Sequence, residues 1–419
     1  MIKKLVSTFG IKVLIAVLNL AIVIVLSRFT GAEGKGEASI IITSIAMILL
    51  FCNMIGGASL VYLVPRYNPS ILFLISNGWS VIVCMIAYIV FTIFDLIEQS
   101  FVIHVIVLSL INSFLATNLS ILLGKEKIMS NNYVSLLQTI INLVILWLLV
   151  KGFNEVTISA YINSLYAAMG FCLIVSTILI VPYLKKISFN NKESVFELIK
   201  LGLTNQLGHI MKFISFRISY YAMVYFSGNT VLGIYSNGVA LIESLLLISN
   251  SFSAILYPKV SNSNNTQYNQ QLTLQMTKAS ILICIIALIP LMLLPPTFWV
   301  WLFGNEFVGV QQVILLLAPG ILLYNIVLII GHYFSGIGKY NINTISSSLG
   351  LITTVILSLL VLPDYGIMEA GIISSISYFV TALFIMMAFA KEAQLKLHQL
   401  FPTLADIKWL KEHTSALLK

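Results

Sequence analysis

Lys212, Arg217 and Glu243 stand inside stretches that are otherwise aliphatic and aromatic: "GHIMKFISFRISYYAMVYF" carries the two cations and "GVALIESLLLI" the acid. A guanidinium presents a planar fork of donors and an ammonium a compact point charge, and together they suit a phosphate or diphosphate. A carboxylate in apolar surroundings either carries a proton or neutralises a cation. Glu243 has both readings open: it pairs with Arg217 or Lys212 to hold two helices together, or it couples a proton to the work of the protein. Two cations against one anion leave a surplus of positive charge, which suits an anionic ligand and disfavours a cationic one.

On a helix, at about 100° per residue, Asn205, His209, Lys212, Phe216 and Ser219 share one narrow stripe. Arg217 projects about 120° around from Asn205, so Lys212 and Arg217 share a broad sector but not one line. Asn205 and His209 are therefore candidates to line the same site. Arg28, in "LSRFTG", reads as an anchor at headgroup level. The other amides in apolar runs, among them Asn19, Asn53, Asn112, Gln138, Asn142, Asn250 and Asn325, read as hydrogen-bonding glue between helices, each worth about 0.6 to 2 kcal/mol. His104 and His332 read as packing residues near span ends. Cys52, Cys84, Cys172 and Cys284 have no CxxC or Cys/His spacing and read as small packing residues, with no metal site and no cofactor expected.

The elements that must hold these groups are membrane helices. The chain has 419 residues, 59% hydrophobic and 9% charged, with a mean hydropathy of +1.00. Fifteen acidic and twenty-three basic residues cannot cover a soluble protein of this size. Windows of about 20 apolar residues, long enough to cross a ~30 Å hydrocarbon core, fit twelve times. They lie at 8–28, 39–64, 71–94, 101–123, 133–150, 157–182, 199–226, 231–257, 278–302, 311–334, 342–362 and 369–390. The charged start resembles that of a signal peptide, but the apolar run is too long and no small-x-small cleavage site follows, so the first span is expected to be retained.

Orientation follows from the cations. With the amino terminus inside, the inner segments hold eighteen Lys and Arg, including Arg66, Lys125, Lys127, Lys185, Lys186, Lys192, Lys259, Lys339, Lys391, Lys408, Lys411 and Lys419. The outer segments hold three, Arg28, Lys35 and Lys151. Both termini are expected in the cytoplasm, and the net charge of +8 reflects an inner face against anionic lipid, with no nucleic acid. The chain also repeats. "FTGAEGKGEAS" and "FSGNTVLGIYS" align at an offset of 197, matching Phe29 with Phe226, Gly31 with Gly228, Gly36 with Gly233 and Ser39 with Ser236. Chance identity in a glycine-rich turn is the alternative to two parallel lobes of six spans. The expected lobes are 1–190 and 191–419, the second with a cytoplasmic tail, joined by the hinge "YLKKISFNNKESVFELI", whose amphipathic end suits a helix on the membrane surface.

The stretches "LSRFTGAEGKGEAS", "GIYSNGVALIESLLLISNSFSAILYPKVS", "FGNEFVGVQQVILLLAPG" and "VLPDYGIMEAGIISSISYF" resemble the polysaccharide-precursor flippases, the Wzx or O-antigen transporter family within the multidrug and oligosaccharidyl-lipid exporter superfamily. The resemblance covers essentially the whole chain. It implies an all-α membrane protein of about twelve helices, in two pseudo-symmetric six-helix lobes around a central cavity opening alternately to either side. It implies a flippase that carries an undecaprenyl-diphosphate-linked oligosaccharide from the cytoplasmic to the outer leaflet of a bacterial inner membrane, for surface polysaccharide such as the O-antigen of lipopolysaccharide. Its partners would be that lipid-linked substrate, membrane lipid and the polysaccharide polymerase machinery. A cationic cavity for the diphosphate, lined here by Arg217, Lys212, Arg28, His209 and Asn205 with Glu243 as coupling or salt-bridge residue, belongs to the same implication.

Two other functions compete. A membrane polymerase or ligase would need acid or base groups on a long outer loop, and the longest outer stretch is about a dozen residues with no cluster of His, Arg and carboxylates. The expectation is transport without catalysis. A drug exporter of the same superfamily commonly takes cations, against which the surplus positive charge counts.

Overall fold

The computed structural model describes residues 2–153, 156–184, 192–361 and 364–403, with the side chains of 2–7, 9, 192–196, 201, 204 and 205 left aside. Of the cations used for orientation, Lys185, Lys186, Lys408, Lys411 and Lys419 lie outside the described residues, as do most of the expected hinge and tail.

Among the described residues every regular element is a helix, as a lipid environment demands, because each backbone donor and acceptor must find its partner within the segment. They are α1 (Ile2–Cys52), α2 (Gly57–Leu63), α3 (Pro69–Phe94), α4 (Gln99–Gly124), α5 (Ile128–Gly152), α6 (Ile158–Ile180), α7 (Lys192–Ser227), α8 (Asn229–Glu243), α9 (Leu246–Ser261), α10 (Thr266–Leu293), α11 (Pro296–Phe303), α12 (Val310–Gly336), α13 (Tyr340–Leu360) and α14 (Ile367–Ala393). Ten described stretches are long and apolar enough to cross a membrane. The first, Gly10–Leu63, is divided by Gly31 into two crossings, and α7 with its Lys212 and Arg217 adds another, which gives the twelve crossings expected.

Several boundaries differ from the apolar windows, each for a local reason. No loop separates the first two spans: the helix runs on from both sides of Gly31, whose φ of 69° and ψ of −170° make the corner. The second span breaks again at Asn53–Ile55, a single 3₁₀ turn followed by Gly57 at φ 49°. The window 278–302 is cut at Pro295 and Pro296, so α10 ends at Leu293 and the apolar remainder folds as the separate α11. Its helix starts earlier than the window, where Asn265 accepts a hydrogen bond from the Tyr268 N–H at 3.0 Å as an N-cap. The amphipathic end of the hinge is the start of α7 itself, continuous with the span.

The chain packs as two compact units, Met1–Ile210 and Met211–Lys419. In the first, α4 packs on α1, α2, α3 and α6, and α5 on α1 and α6. The first turns of α7 belong here. Leu198 is buried with Ile55, Leu60 and Ile180, the Tyr67 hydroxyl donates to Glu197 Oε2 at 3.1 Å, and a Cβ at Gly202 would collide with the Met54 carbonyl oxygen. In the second unit α12 packs on α8, α9, α10 and α14, and α13 on α14.

The repeat read from the sequence is present in the backbone of each unit. Gly228, the partner of Gly31, adopts φ 84° and ψ 172°, close to Gly31 and open to few other residues. A second matched pair was not read from the sequence. Glu126 at φ 58° and Gly338 at φ 77° close α4 and α12, and the next residues, Lys127 and Lys339, donate to Leu122 O and Phe334 O, each at 2.8 Å. Gly124 and Gly336 meet Val64 and Val260 so closely that a Cβ would lie 2.7 and 2.8 Å from those side chains. Between the two matched sites, the second unit carries the additional α11, which shifts the register of the repeat.

The amides act largely as glue. Asn118 Nδ2 donates to Ser176 Oγ and Thr177 Oγ1, both at 3.0 Å, and joins α4 to α6. Asn325 accepts from Ser280 Oγ at 3.1 Å and donates to Cys284 Sγ at 2.8 Å, while Ser280 also meets Ser249 at 3.1 Å, so α9, α10 and α12 are tied through one line of polar atoms. All four cysteines are free and buried.

Candidate functional site

Helix α7 presents a different residue to each neighbour because successive side chains turn by about 100°. Ser215 meets Ser377 of α14 at 3.2 Å and Thr354 of α13 at 3.3 Å. Phe216, one step on, packs between Tyr324 and Tyr378, with ring centroids 4.8 and 4.6 Å away, and those two tyrosines lie 5.2 Å from each other. Arg217, the next step, faces α8. Its Nη1 donates to Glu243 Oε1 at 2.8 Å and its Nη2 to Oε2 at 2.6 Å, a two-pronged pair whose side chains keep 21% and 18% of their exposure. The guanidinium carbon also stands 5.0 Å from the centroid of Tyr220, which sits edge-on to Tyr235, and Tyr235 in turn meets Ser374 Oγ at 3.1 Å.

Glu243 closes α8, and Ser244 and Leu245, both with helical φ/ψ, lead into α9 at Leu246 through a tightened turn in which the Leu245 N–H donates to Ile242 O at 3.2 Å.

Lys212 is placed differently. It makes no ion pair among the described residues; its Nζ lies 5.3 Å from the Tyr324 centroid and 5.7 Å from that of Phe216. The second unit thus brings together Lys212, Arg217 and Glu243 in a setting of Phe216, Tyr220, Tyr324 and Tyr378. Such a cluster can hold an anion at Lys212, and it can exchange the partner of Arg217 if a second anion approaches. The sequence left open whether Glu243 takes Lys212 or Arg217, and the structure gives it to Arg217. The three tyrosines come from α7, α12 and α14, and no spacing along the chain signals that they converge.

The remaining candidates belong to the first unit. Arg28 and His209 are exposed there, and the side chain of Asn205 lies outside the described residues. That unit also contains a feature the sequence did not suggest, a cavity of about 490 Å³ between α1, α5 and α6. Lys35, read above as an outer-loop cation, is 7% exposed on its wall, where its Nζ donates to Ser39 Oγ at 2.7 Å. Asn19, Gln138, Asn142 and Tyr161 line the same space. Among the described residues no cluster of His, Cys, Asp and Glu is arranged to hold a metal ion.

No protein-family model matches the chain. Over 227 residues it is 23% identical to the probable low-salt glycan biosynthesis flippase Agl15 of Haloferax volcanii, a match that covers 54% of this chain and 48% of that protein. Over 159 residues it is 27% identical to the capsular polysaccharide biosynthesis protein CapF of Staphylococcus aureus, covering 37% of this chain and 40% of that one. The chain thus spans about half the length, or less, of the curated relatives it matches. Its structure is similar to that of lipid II flippase MurJ in an inward closed conformation, with a TM-score of 0.74 and 13% identity over 93% of this chain and 90% of that one. An inward-facing multidrug resistance MATE transporter follows, with a TM-score of 0.68 and 13% identity over 91% and 96%. The chain therefore has the multi-pass, two-lobe transporter fold of MurJ and the MATE proteins, and its sequence relatives carry the names of a glycan flippase and a capsular polysaccharide protein.

Proposed function

We propose that this protein is a flippase that moves an undecaprenyl-diphosphate-linked oligosaccharide from the cytoplasmic to the outer leaflet by alternating access, for surface polysaccharide, with no bond of the substrate made or broken. The observation that carries this reading is Lys212, a cation in membrane-spanning sequence set on aromatic rings with no carboxylate paired to it among the described residues. A diphosphate supplies the missing negative charge, and the names of the two sequence relatives, a glycan biosynthesis flippase and a capsular polysaccharide biosynthesis protein, fit a glycan cargo. Lys212 takes the diphosphate first. Arg217 follows as a phosphate oxygen replaces a Glu243 oxygen in its fork, which frees Glu243 to take up a proton or return to Arg217 when the cargo leaves. The glycan is passed on to polymerase machinery on the far side. The rival reading, export of cationic drugs, draws on the MATE fold likeness; a site whose one unpaired charge is positive counts against it.

The test is flipping itself. Purified protein in vesicles should move a fluorescent undecaprenyl-diphosphate disaccharide to the opposite leaflet, where a membrane-impermeant quencher reaches it. Movement no faster than in protein-free vesicles, alongside uptake of a cationic dye, would replace this reading by the rival.

Both termini are placed in the cytoplasm of a cell whose cytoplasmic membrane holds the protein, on the strength of the cation bias in the loops. Single cysteines at Lys151 and Lys192, in a variant lacking the native thiols, should react with an impermeant maleimide from opposite sides. Reaction of both from outside would invalidate the orientation.

A further inference from the structure

The ends of α2 and α4 meet in the first unit, where a Cβ on Gly124 would lie 2.7 Å from the Val64 side chain. Three cations gather at that corner. Arg66 Nη1 donates to the Tyr62 carbonyl at 2.6 Å, with its guanidinium carbon 3.6 Å from the centroid of the Tyr62 ring. Lys125 Nζ donates to the Val64 carbonyl at 3.4 Å, and Lys127 stands exposed just past the left-handed Glu126. The carbonyl end of a helix attracts cations, so two of the three are oriented by α2 itself. That takes one of five donors on the guanidinium and one of three on the ammonium, and the others remain for a ligand.

No carboxylate pairs with Arg66, Lys125 or Lys127 among the described residues. Of the acids nearby, Glu197 accepts from the Tyr67 hydroxyl and Glu126 is exposed on the turn. The matched corner of the second unit is built otherwise. There Ile337 and Gly338 stand where the first unit has Lys125 and Glu126, and Lys339, the counterpart of Lys127, donates to both oxygens of Glu392 at 2.7 Å. Its charge is met from within the unit, whereas the three of the first unit call for an anion from outside. Arg and Lys at span ends sit at headgroup level, and the exposed side chains of Tyr62 and Ile128 give apolar surface beside them. A phosphodiester with acyl chains fits both features, while a soluble anion would use only the charges.

We propose that this corner is a binding site for an anionic phospholipid, with Arg66, Lys125 and Lys127 holding its headgroup phosphate. The site rests on the membrane reading and not on flipping. Native mass spectrometry of the purified protein with equimolar phosphatidylglycerol and phosphatidylcholine should show the first retained and the second lost. Arg66→Gln with Lys125→Gln and Lys127→Gln should weaken phosphatidylglycerol binding about tenfold or more. Arg66→Lys with Lys125→Arg should keep most of it, which separates loss of charge from a damaged fold. Lys259→Gln with Lys391→Gln and Lys396→Gln, three exposed cations of the second unit, should leave it unchanged. Equal retention of both lipids, binding that survives the first triple variant, or an equal loss in the second overturns the site. So does displacement of phosphatidylglycerol by equimolar undecaprenyl diphosphate, which would make the corner a docking point for the cargo. None of these readings depends on transport, so the flippase reading stands or falls on its own assay.

Discussion

Glu243→Gln lowers the melting temperature of the purified protein by several degrees, Arg217→Met lowers it too, and the two together return most of the loss. The reason is the geometry of the pair. Both nitrogens of the guanidinium fork are filled by both oxygens of the carboxylate, at 2.8 and 2.6 Å, with about a fifth of each side chain exposed. Removing one partner of a largely buried pair leaves the other without compensation, on the order of 3 kcal/mol, whereas replacing both by neutral groups of similar volume is close to neutral. The cycle of two single changes and the double change therefore shows strong positive coupling. Strictly additive losses would mean that the pair is not formed. The double variant then separates structure from work: it should be well folded yet slow in flipping, because it can neither release Arg217 to a phosphate nor hand a proton to Glu243. Full flipping by that variant would reduce the pair to a strut between α7 and α8.

The elements themselves were legible in the sequence wherever one strong physical signal decided them. The apolar windows were legible because length and apolarity mark a membrane helix; ten described stretches meet both, and α7, with Lys212 and Arg217, is the window whose apolarity the charges dilute. The offset of 197 was legible through Gly31 and Gly228 because a left-handed corner leaves few residues to choose from. Its continuation at Gly124 and Gly336 was not, since α11 shifts the register and close approach to a valine leaves only a glycine as its trace. Prolines 295 and 296 were in plain sight, yet an averaged apolar window is insensitive to them.

The site was legible in part for a related reason. Charges inside apolar sequence announce themselves, so Lys212, Arg217 and Glu243 stood out, but the sequence does not say which cation the acid meets. That depends on α7 and α8 meeting at Gly228 with a particular rotation. The burial of Lys35 was not legible because a lysine among glycines reads as a turn residue. Once α1 continues as a helix beyond Gly31, the same lysine falls one turn before Ser39 and turns into the unit, against residues of α5 and α6 more than a hundred positions away. The aromatic setting of Lys212 has the same character, since Tyr324 and Tyr378 join it only through the packing of α12 on α14.

Lys212→Met should leave the protein folded, with a melting temperature equal to or above that of the unaltered chain, and slow flipping of the diphosphate-linked glycan at least tenfold. A lysine near the centre of a membrane helix costs about 2.5 to 3.5 kcal/mol to insert. Its contacts with Phe216 and Tyr324 each return about 0.5 to 1 kcal/mol at the distances seen, which does not offset that cost. Methionine keeps the length and packs on the same rings without the charge, so stability holds or rises. What is lost is the negative partner that only a ligand provides, and a single charge-assisted hydrogen bond to phosphate, worth about 1.5 to 3 kcal/mol, corresponds to a tenfold change or more. Lys212→Arg, which keeps the charge but presents a planar fork, should restore part of the rate. Flipping by Lys212→Met at the unaltered rate would show that the ammonium only packs on the two rings, and the diphosphate would have to be held elsewhere.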